Sequence, residues 1–251
     1  MTNLLITGVA RGIGFELAQQ ALTMGWRVFG SVRSEEDAFR VQGELGVTGG
    51  GELRAAEAIE APMGEAKAVP EARFTPLVFD VTDHAGVEAA ADSIDMPIDI
   101  LINNAGIIGP KRQTVLDMDF AGFAETLAVN TLAPLAVTQA FLPHLKRSDA
   151  GRIVTISSWM GSMSHQNADR IAYRASKSAI NKVCQGLATE LRGDGIAVIS
   201  MHPGWVQTDM GGAAADIAPE ESAAGILAVA ENLTLSQTGH FINYDGSLLS
   251  W

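Results

Sequence analysis

Short apolar segments alternate with longer segments of helical periodicity along this sequence. The short segments cover residues 3–7, 26–32, 77–79, 98–102, 152–156, 196–201 and 241–243. The helical patterns between them cover residues 15–22, 34–42, 84–94, 120–146, 172–192 and 219–232. Because strands that alternate with helices are typical of βαβ units, the pattern predicts an α/β fold. Its sheet should be seven-stranded and mostly parallel, with helices on both faces.

Residues 43–75 interrupt this alternation. Three consecutive glycines at positions 49–51 and prolines at 62 and 70 break any regular element there. Neither an internal repeat nor a second domain is apparent in the sequence. We therefore expect a single domain over residues 1–251 that carries a surface insertion at about 43–75.

Three glycines separate the first predicted strand from the first predicted helix. Gly8, Gly12 and Gly14 follow the apolar segment directly, and the helical pattern starts at Phe15. This order of strand, turn and helix presents backbone N–H groups to a phosphate at the helix N-terminus. The spacing differs from the general dinucleotide fingerprint, and three glycines could also form an ordinary turn. Together with the alternating elements, the turn favours a Rossmann-type doubly wound fold.

Charge and cysteine content exclude several classes of function. The formal net charge of −12 at pH 7 argues against nucleic acid and anionic membranes as partners. We find neither an apolar run of the length that spans a bilayer nor a signal-peptide pattern. Cys184 is the only cysteine, so we expect a cytoplasmic protein. The five histidines show no paired metal-ligand spacing, so no metal site is expected.

Tyr173 and Lys177 lie four residues apart in a predicted helix and therefore share one of its faces. A free tyrosine has a pKa near about 10, and a neighbouring ammonium group favours the phenolate and lowers that pKa. The pair could therefore donate a proton to a carbonyl oxygen or accept one from a hydroxyl group. The same spacing also arises by chance, with a packed aromatic ring and a solvated lysine.

Several further motifs accompany this pair in a fixed order. They are the segment from Thr7 to Gly14, Asp80, the segment from Asn103 to Gly106, Asn130, Ser158, the pair Tyr173 and Lys177, and Pro203-Gly204. With these motifs the sequence resembles the short-chain dehydrogenase/reductase family over essentially its whole length. The C-terminal residues 241–251 look like those of the C-factor and sniffer-type carbonyl reductases.

The resemblance implies a role for each matching residue. Tyr173 would be the proton donor or acceptor, and Lys177 would lower its pKa and bind the nicotinamide ribose. Ser158, preferred to Ser157 because it fits the family's Ser-x-x-Gly, would hold the substrate oxygen. Asn130 would anchor a water that links Lys177 to solvent. The residues implied to bind the cofactor are Gly8, Arg11, Gly12, Ile13, Gly14, Arg33, Asp80, Val81, Asn104, Ala105, Gly106, Tyr173, Lys177, Pro203, Gly204, Val206 and Thr208.

The end of the second predicted strand bears on the choice of cofactor. An NAD enzyme of this fold has a carboxylate there for the ribose 2′-hydroxyl, and the corresponding residue is Val32. Arg33 follows it, and Arg11 lies inside the glycine turn, so two guanidinium groups could bind a 2′-phosphate. These residues predict NADP(H). In the alternative, both arginines are solvated and a nearby glutamate binds the ribose of NAD.

The function that we expect is NADPH-dependent reduction of an aldehyde or ketone to an alcohol. Two alternatives stay open: an NAD-dependent alcohol dehydrogenase, and a cofactor-binding regulatory or signalling protein with little turnover. Residues between Thr208 and Pro219 are few and small, which suggests an open site for a small-molecule substrate. Apolar side chains near the motifs either line this site or pack within their loops; they are Trp159, Met160, Met163, Trp205 and Met210. The helices at 120–146 and 172–192 could pair subunits into a homodimer or homotetramer.

Overall fold

A parallel sheet forms the centre of the computed structural model, which describes residues 1–46 and 73–251. In chain order the strands of the described residues are β1 (Asn3–Ile6), β2 (Arg27–Val32), β3 (Phe74–Val78), β4 (Ile100–Asn103), β5 (Gln113–Thr114), β6 (Asp117–Met118), β7 (Arg152–Ile156), β8 (Ala197–His202) and β9 (Phe241–Asn243). Strands β5 and β6 form a separate antiparallel hairpin, and the other seven form the parallel sheet. The α-helices are α1 (Gly12–Thr23), α2 (Glu35–Gly46), α3 (His84–Asp92), α4 (Phe120–Leu127), α5 (Ala133–Lys146), α6 (Ile171–Leu191) and α7 (Pro219–Asn232).

The strand order of the main sheet is β3-β2-β1-β4-β7-β8-β9, and all of its pairings are parallel. The chain runs outward from β1 to one edge and then returns to β4 on the other side of β1. This reversal creates a crevice at the carboxyl ends of β1 and β4, where ligands bind in such sheets. The predicted seven-stranded, doubly wound α/β fold is thereby confirmed.

Two apolar layers cover the sheet. Along β1, Leu4 and Ile6 point into one layer and Leu5 points into the other, because side chains alternate along a strand. Helices α1, α2 and α7 pack on the first face and helices α3, α5 and α6 on the second. The sheet is thus buried on both sides, and polar groups collect at the ends of its strands.

The ends of the expected insertion at 43–75 differ from the sequence prediction. Helix α2 continues to Gly46, and β3 already begins at Phe74, so both ends of that range belong to regular elements. Pro76, which precedes the predicted strand at 77–79, lies within β3 opposite Gly30. An edge strand tolerates proline because one side of it needs no ladder partner. The remaining residues 47–72 lie outside the described part of the chain.

The long helical region at 120–146 consists of α4, one turn of π-helix from Ala128 to Leu132, and α5. Pro134 has no N–H to give to the carbonyl of Asn130, which explains why regular α-helical bonding stops there. By length and composition alone, Phe120–Lys146 could cross a membrane, so the expectation that no segment reaches that length does not hold. Core helices pass the same test, and Val137, Phe141 and Leu145 are fully buried against the sheet.

Candidate active site

The glycine turn lies between β1 and α1, at the crevice. Gly8 and Gly12 have positive φ angles of 76° and 57°, which residues other than glycine rarely adopt. Among the described residues, no side chain caps the N-terminus of α1, and its first turn contains no acidic residue. The backbone N–H groups of Gly12, Ile13 and Gly14 therefore face the crevice end of the helix as a site for an anion.

Gly14 is required by the packing of this turn. A β-carbon at this position would overlap the carbonyl oxygen of Gly8 and lie 2.6 Å from Nδ2 of Asn104. That amide in turn donates to the carbonyls of Thr7 and Gly8, at 2.9 and 3.1 Å. The Thr7 hydroxyl accepts from the backbone N–H groups of Asn104 and Ala105. Residues after β4 and residues after β1 thus form one hydrogen-bonded unit.

We expect Gly14→Ala to lower the free energy of unfolding by about 1–3 kcal/mol, because the new methyl group meets backbone atoms that cannot move aside. Denaturant unfolding measures the change. The matched control is Gly186→Ala in α6, where no atom of the described chain beyond the adjacent helix backbone lies within 4 Å of the new methyl group. That control should be neutral or stabilising by up to about 1 kcal/mol, since alanine favours helix. Equal stability of the two variants would contradict this packing.

Arg11 and Arg33, which are expected to bind the 2′-phosphate of the cofactor, both interact with carboxylates. Arg11 forms an exposed ion pair with Asp209, at 2.9 Å. Arg33 follows β2 and is exposed. The pKa of Asp80 is lowered mainly because its carboxylate accepts hydrogen bonds from Thr82, at 2.6 and 2.8 Å, and the charge of Arg33 lowers it further. At Asp37 the hydrogen bonds with Arg40 and Ser34 lower the pKa most, and Arg33 has a smaller effect. Arg33 therefore acts electrostatically on Asp80, whereas Arg11 is paired with Asp209 in a different loop.

The sequence analysis did not include Arg40 near the glycine turn, and it could not show how deeply Val32 and Val81 are buried. Arg40 on α2 donates to the carbonyl of Ala10, at 2.8 Å, and so adds a third guanidinium group beside the glycine turn. Val32 is only 2% exposed and packs in the apolar core. Partly buried Val81 packs against the other apolar layer. A carboxylate at position 32 would be buried, so this position is not a ready site for a ribose ligand.

Tyr173 is the third residue of α6 and is 8% exposed. Burial raises its pKa, because the phenolate loses solvation. A hydrogen bond with the side chain of Ser158 acts in the opposite direction. Ser158 stands just before a short 3₁₀ helix and accepts from the N–H of Met160, whereas the hydroxyl of Ser157 donates to the carbonyl of Lys177. Of the two serines, the structure thus places Ser158 at Tyr173.

Lys177 is buried with Tyr173. Its Nζ lies 5.7 Å from the centre of the Tyr173 ring and donates to the carbonyl of Ile156, at 2.8 Å. Burial lowers the pKa of Lys177 from 10.5 to about 8, since the ammonium group is desolvated. Burial is the largest cause of the raised pKa of Tyr173, and the lowering of that pKa expected from Lys177 stays a prediction.

Asn130 lies in the π-helical turn and fastens the segment that follows β4. Its side-chain amide accepts from the N–H of Ile107 and donates to the carbonyl of the same residue, at 2.9 and 2.8 Å. It also donates to the hydroxyl of Ser176. A β-carbon on Gly106 would lie 3.2 Å from Oδ1 of Asn130 and 3.7 Å from Nζ of Lys177. These three residues therefore meet at one point, although the water expected at Asn130 stays a prediction.

The loop after β8 crosses in front of the glycine turn. Its first residues are anchored, since the Pro203 carbonyl accepts from Ser222 and Gly204 has a φ of 86°. Val206 is buried and pairs with Ile217. The methyl group of Thr208 lies 3.3 Å from the position of a β-carbon on Gly12. The loop thus brings Thr208 to the mouth of the crevice.

The aromatic side chains near the site are tied to their own loops. The Trp159 ring packs on His165, with ring centres 3.9 Å apart, and is 40% exposed. The indole N–H of Trp205 donates to the carbonyl of Gly211. Met163 and Met210 are exposed. These contacts establish loop packing for both tryptophans and leave part of each ring open to a ligand.

Comparison with known proteins agrees with this geometry. The family model of short chain dehydrogenase matches residues 51–217. C-signal of Myxococcus xanthus is 40% identical over 156 residues, which are 62% of this chain and 93% of that protein. The structure is similar to NADPH-bound carbonyl reductase from chicken fatty liver, with a TM-score of 0.84, 30% identity and coverage of 100% and 99%. For the carbonyl reductase Sniffer of D. melanogaster the TM-score is 0.83, with 28% identity and full coverage of both chains.

The site and the comparisons thus agree on one class of protein. The expected resemblance to C-factor and sniffer-type carbonyl reductases is confirmed, and the fold, the ordered motifs and the match over most of the chain support an oxidoreductase. The protein belongs to the short chain dehydrogenase family.

Proposed function

We propose that the protein is an NADPH-dependent reductase of aldehydes or ketones, with Tyr173 as the proton donor. The observation that carries this proposal is the buried contact of Tyr173 with Ser158, next to Lys177. Binding of a cofactor alone requires no such acid. The similarity to an NADPH-bound carbonyl reductase supports both the cofactor and the class of substrate.

The residues around Tyr173 supply what carbonyl reduction requires. When bound, the nicotinamide supplies a hydride. The Ser158 hydroxyl orients the carbonyl oxygen, and the phenol of Tyr173 donates the proton that this oxygen needs. Burial raises the pKa of Tyr173, so the phenol carries the proton to be donated at neutral pH. Lys177 binds the ribose, and Asn130 fixes the segment beside it.

The cofactor would lie along the crevice. The backbone N–H groups at the start of α1 have no side-chain cap from Arg11, so they fit a pyrophosphate. Asp80 and Val81 would meet the adenine, and Asn104 to Gly106 would flank the nicotinamide side. Pro203, Gly204, Val206 and Thr208 would close the site from the loop after β8. We assign the 2′-phosphate to Arg33 and Arg11, with Arg40 nearby.

Arg33→Ala is expected to weaken NADPH binding about 10- to 100-fold and to leave NADH binding unchanged. A charge-assisted hydrogen bond contributes about 1.5–3 kcal/mol, and only NADPH carries the phosphate that receives it. Fluorescence titration with each cofactor measures both Kd values. Asp209→Asn frees Arg11 from its ion pair, so we expect this companion variant to bind NADPH more tightly than the unmodified protein.

Arg112→Ala removes a similar exposed ion pair, with Asp117, and serves as the control. It should leave both Kd values unchanged. If the unmodified protein binds NADH as tightly as NADPH, the arginines do not read the phosphate and the assignment of NADP is wrong.

A screen of aldehydes, ketones, quinones and secondary alcohols with NADPH, NADH and their oxidised forms tests the activity. We expect NADPH oxidation with carbonyls of small to medium size. Turnover only of alcohols with NAD would instead favour an alcohol dehydrogenase. Cofactor binding without turnover of any compound would favour a regulatory or signalling protein, the class to which the name of C-signal points.

The remaining proposals concern the setting of the enzyme. We place it in the cytoplasm, supported by the single cysteine, which is buried. Its partners would be small molecules and a second copy of the chain, in a homodimer or homotetramer, rather than nucleic acid or a membrane. Mass measurement in solution tests the assembly.

A further inference from the structure

Gln113 is a buried amide that neither the motifs nor the proposed reaction includes. It is the first residue of β5, in the small β5–β6 hairpin, and its side chain is 7% exposed. Its Nε2 donates to the carbonyls of Ile108 and Pro110, at 3.1 and 2.7 Å. Its Oε1 accepts from the backbone N–H of Tyr173, at 3.1 Å. Every hydrogen-bonding atom of this amide is thus engaged, and one of its partners is Tyr173 itself.

The contact with Tyr173 replaces a missing helix cap. Helix α6 starts at Ile171, and its cap residue Arg170 has a φ of 50°. The side chain of Arg170 makes no capping hydrogen bond with the helix. The N–H of the third helical residue is a usual target of such a cap, and here that residue is Tyr173. Gln113 supplies the acceptor from 60 positions away in the sequence.

The other side of the amide holds the segment that follows the cofactor-flanking residues. Ile107 is clamped by Asn130, and Ile108 and Pro110 are clamped by Gln113. Gly109 lies between them with a φ of 87°, where a β-carbon would be 2.7 Å from the hydroxyl of Thr126. Two side-chain amides and close packing therefore fix this segment, which connects Gly106 to the hairpin.

We infer that Gln113 is a positioning residue that couples the segment 107–110 to the start of α6 and so sets the place of Tyr173 relative to the bound cofactor. This inference rests on the proposed function of Tyr173. A displacement of about 1 Å can reduce catalysis by about 100-fold, so a residue that fixes this distance affects kcat without contacting substrate.

Two substitutions distinguish the contact of Gln113 with Tyr173 from its contacts with Ile108 and Pro110. Gln113→Met removes the acceptor and both donors at similar volume. Gln113→Glu keeps an acceptor for Tyr173 but loses both donors when ionised; when protonated it regains one of them. We expect Gln113→Met to lower kcat about 10- to 100-fold, with less than about a twofold change in the Kd of NADPH. Amide hydrogen exchange at residues 171–175 should accelerate, a readout that needs no turnover.

The pH profile is the sharper test. The ratio of the kcat of Gln113→Glu to that of the unmodified enzyme should rise as the pH falls and the new carboxyl group gains its proton. The control for lost stability is Thr238→Val, which removes a buried pair of hydrogen bonds with Val198 in a different region. It should lower the melting temperature and leave kcat, the pH profile and exchange at 171–175 unchanged.

The outcomes distinguish this inference from the function on which it rests. If Gln113→Met and Gln113→Glu retain the kcat and pH profile of the unmodified enzyme while Tyr173→Phe loses turnover, Gln113 positions nothing and only this inference fails. Should Gln113→Met not fold, the pH-dependent ratio of Gln113→Glu decides. If no carbonyl in the screen is reduced, or Tyr173→Phe retains turnover, the proposed function fails and this inference with it.

Discussion

Tyr173→Phe is expected to lower the kcat of carbonyl reduction by about 10²–10⁴-fold while NADPH still binds. Phenylalanine keeps the buried ring, so packing in α6 is preserved and only the transferable proton is lost. Steady-state NADPH oxidation measures kcat, and a fluorescence titration measures binding. Melting temperature should change little, because the variant keeps the buried ring and loses the hydrogen bond of the hydroxyl with Ser158.

The chain provides a matched control, because it contains just two tyrosines. Tyr244 donates to Glu221 on the surface, at 3.1 Å. Tyr244→Phe therefore removes the same atom from a surface pair and keeps the ring that packs beside Gly204, so its kcat should equal that of the unmodified enzyme. Near-normal turnover by Tyr173→Phe would show that another group donates the proton.

Lys177→Met is expected to abolish measurable reduction and at the same time to stabilise the fold. The buried ammonium group costs free energy, as the fall of its pKa from 10.5 to about 8 indicates. At about 1.4 kcal/mol for each pKa unit, this cost is up to about 3 kcal/mol. Methionine fills similar space without a charge. Denaturant unfolding across a range of pH values measures the gain.

The pKa of Lys177, 10.5 in the unfolded chain and about 8 in the folded chain, determines how stability changes with pH. Below about pH 8 the lysine is protonated in both the folded and the unfolded chain, so the full cost is present. Between about 8 and 10.5 the unfolded chain binds more protons, so the stability of the unmodified protein rises with pH. The advantage of Lys177→Met should therefore be largest below pH 8 and shrink above it.

Lys182→Met is the control for this effect. Lys182 lies on the same helix and donates to Gln185 on the surface, so its charge stays solvated. Its replacement should change the free energy of unfolding by less than about 0.5 kcal/mol at any pH. A loss of stability in Lys177→Met at pH 7 would mean that the bond to Ile156 outweighs the buried charge.

Periodicity predicted the seven strands and the parallel sheet, because most of these strands are apolar runs buried on both faces. The edge strand β3 is the exception: Thr75 and Pro76 interrupt its pattern, and its start was not predicted. The position of Asn130 was also readable from the sequence, since a polar residue four places before Pro134 is unfavourable inside a helix. The described structure places a π-helical turn there. These features could be predicted because the cause lies within a few residues of the effect.

Contacts between distant residues could not be predicted in this way. The β5–β6 hairpin has only two residues in each strand, so it has no periodicity to detect. The role of Gln113 depends on Arg170 failing to cap α6, and that of Arg40 depends on how α2 lies against Ala10. The rise of the Tyr173 pKa could not be predicted either, because the depth of burial that causes it is not visible in the sequence.

The central position of β1 has a consequence for synthesis. Leu4 pairs with Val28 on one side and with Ile100 on the other. During synthesis, one edge of β1 therefore stays unpaired until β4 has been made. At about 5–20 residues per second, that delay is roughly 5 to 20 seconds on the ribosome. During this time an apolar strand edge is open to pairing with other chains. The nascent chain, rather than the finished enzyme, is therefore the form most exposed to aggregation.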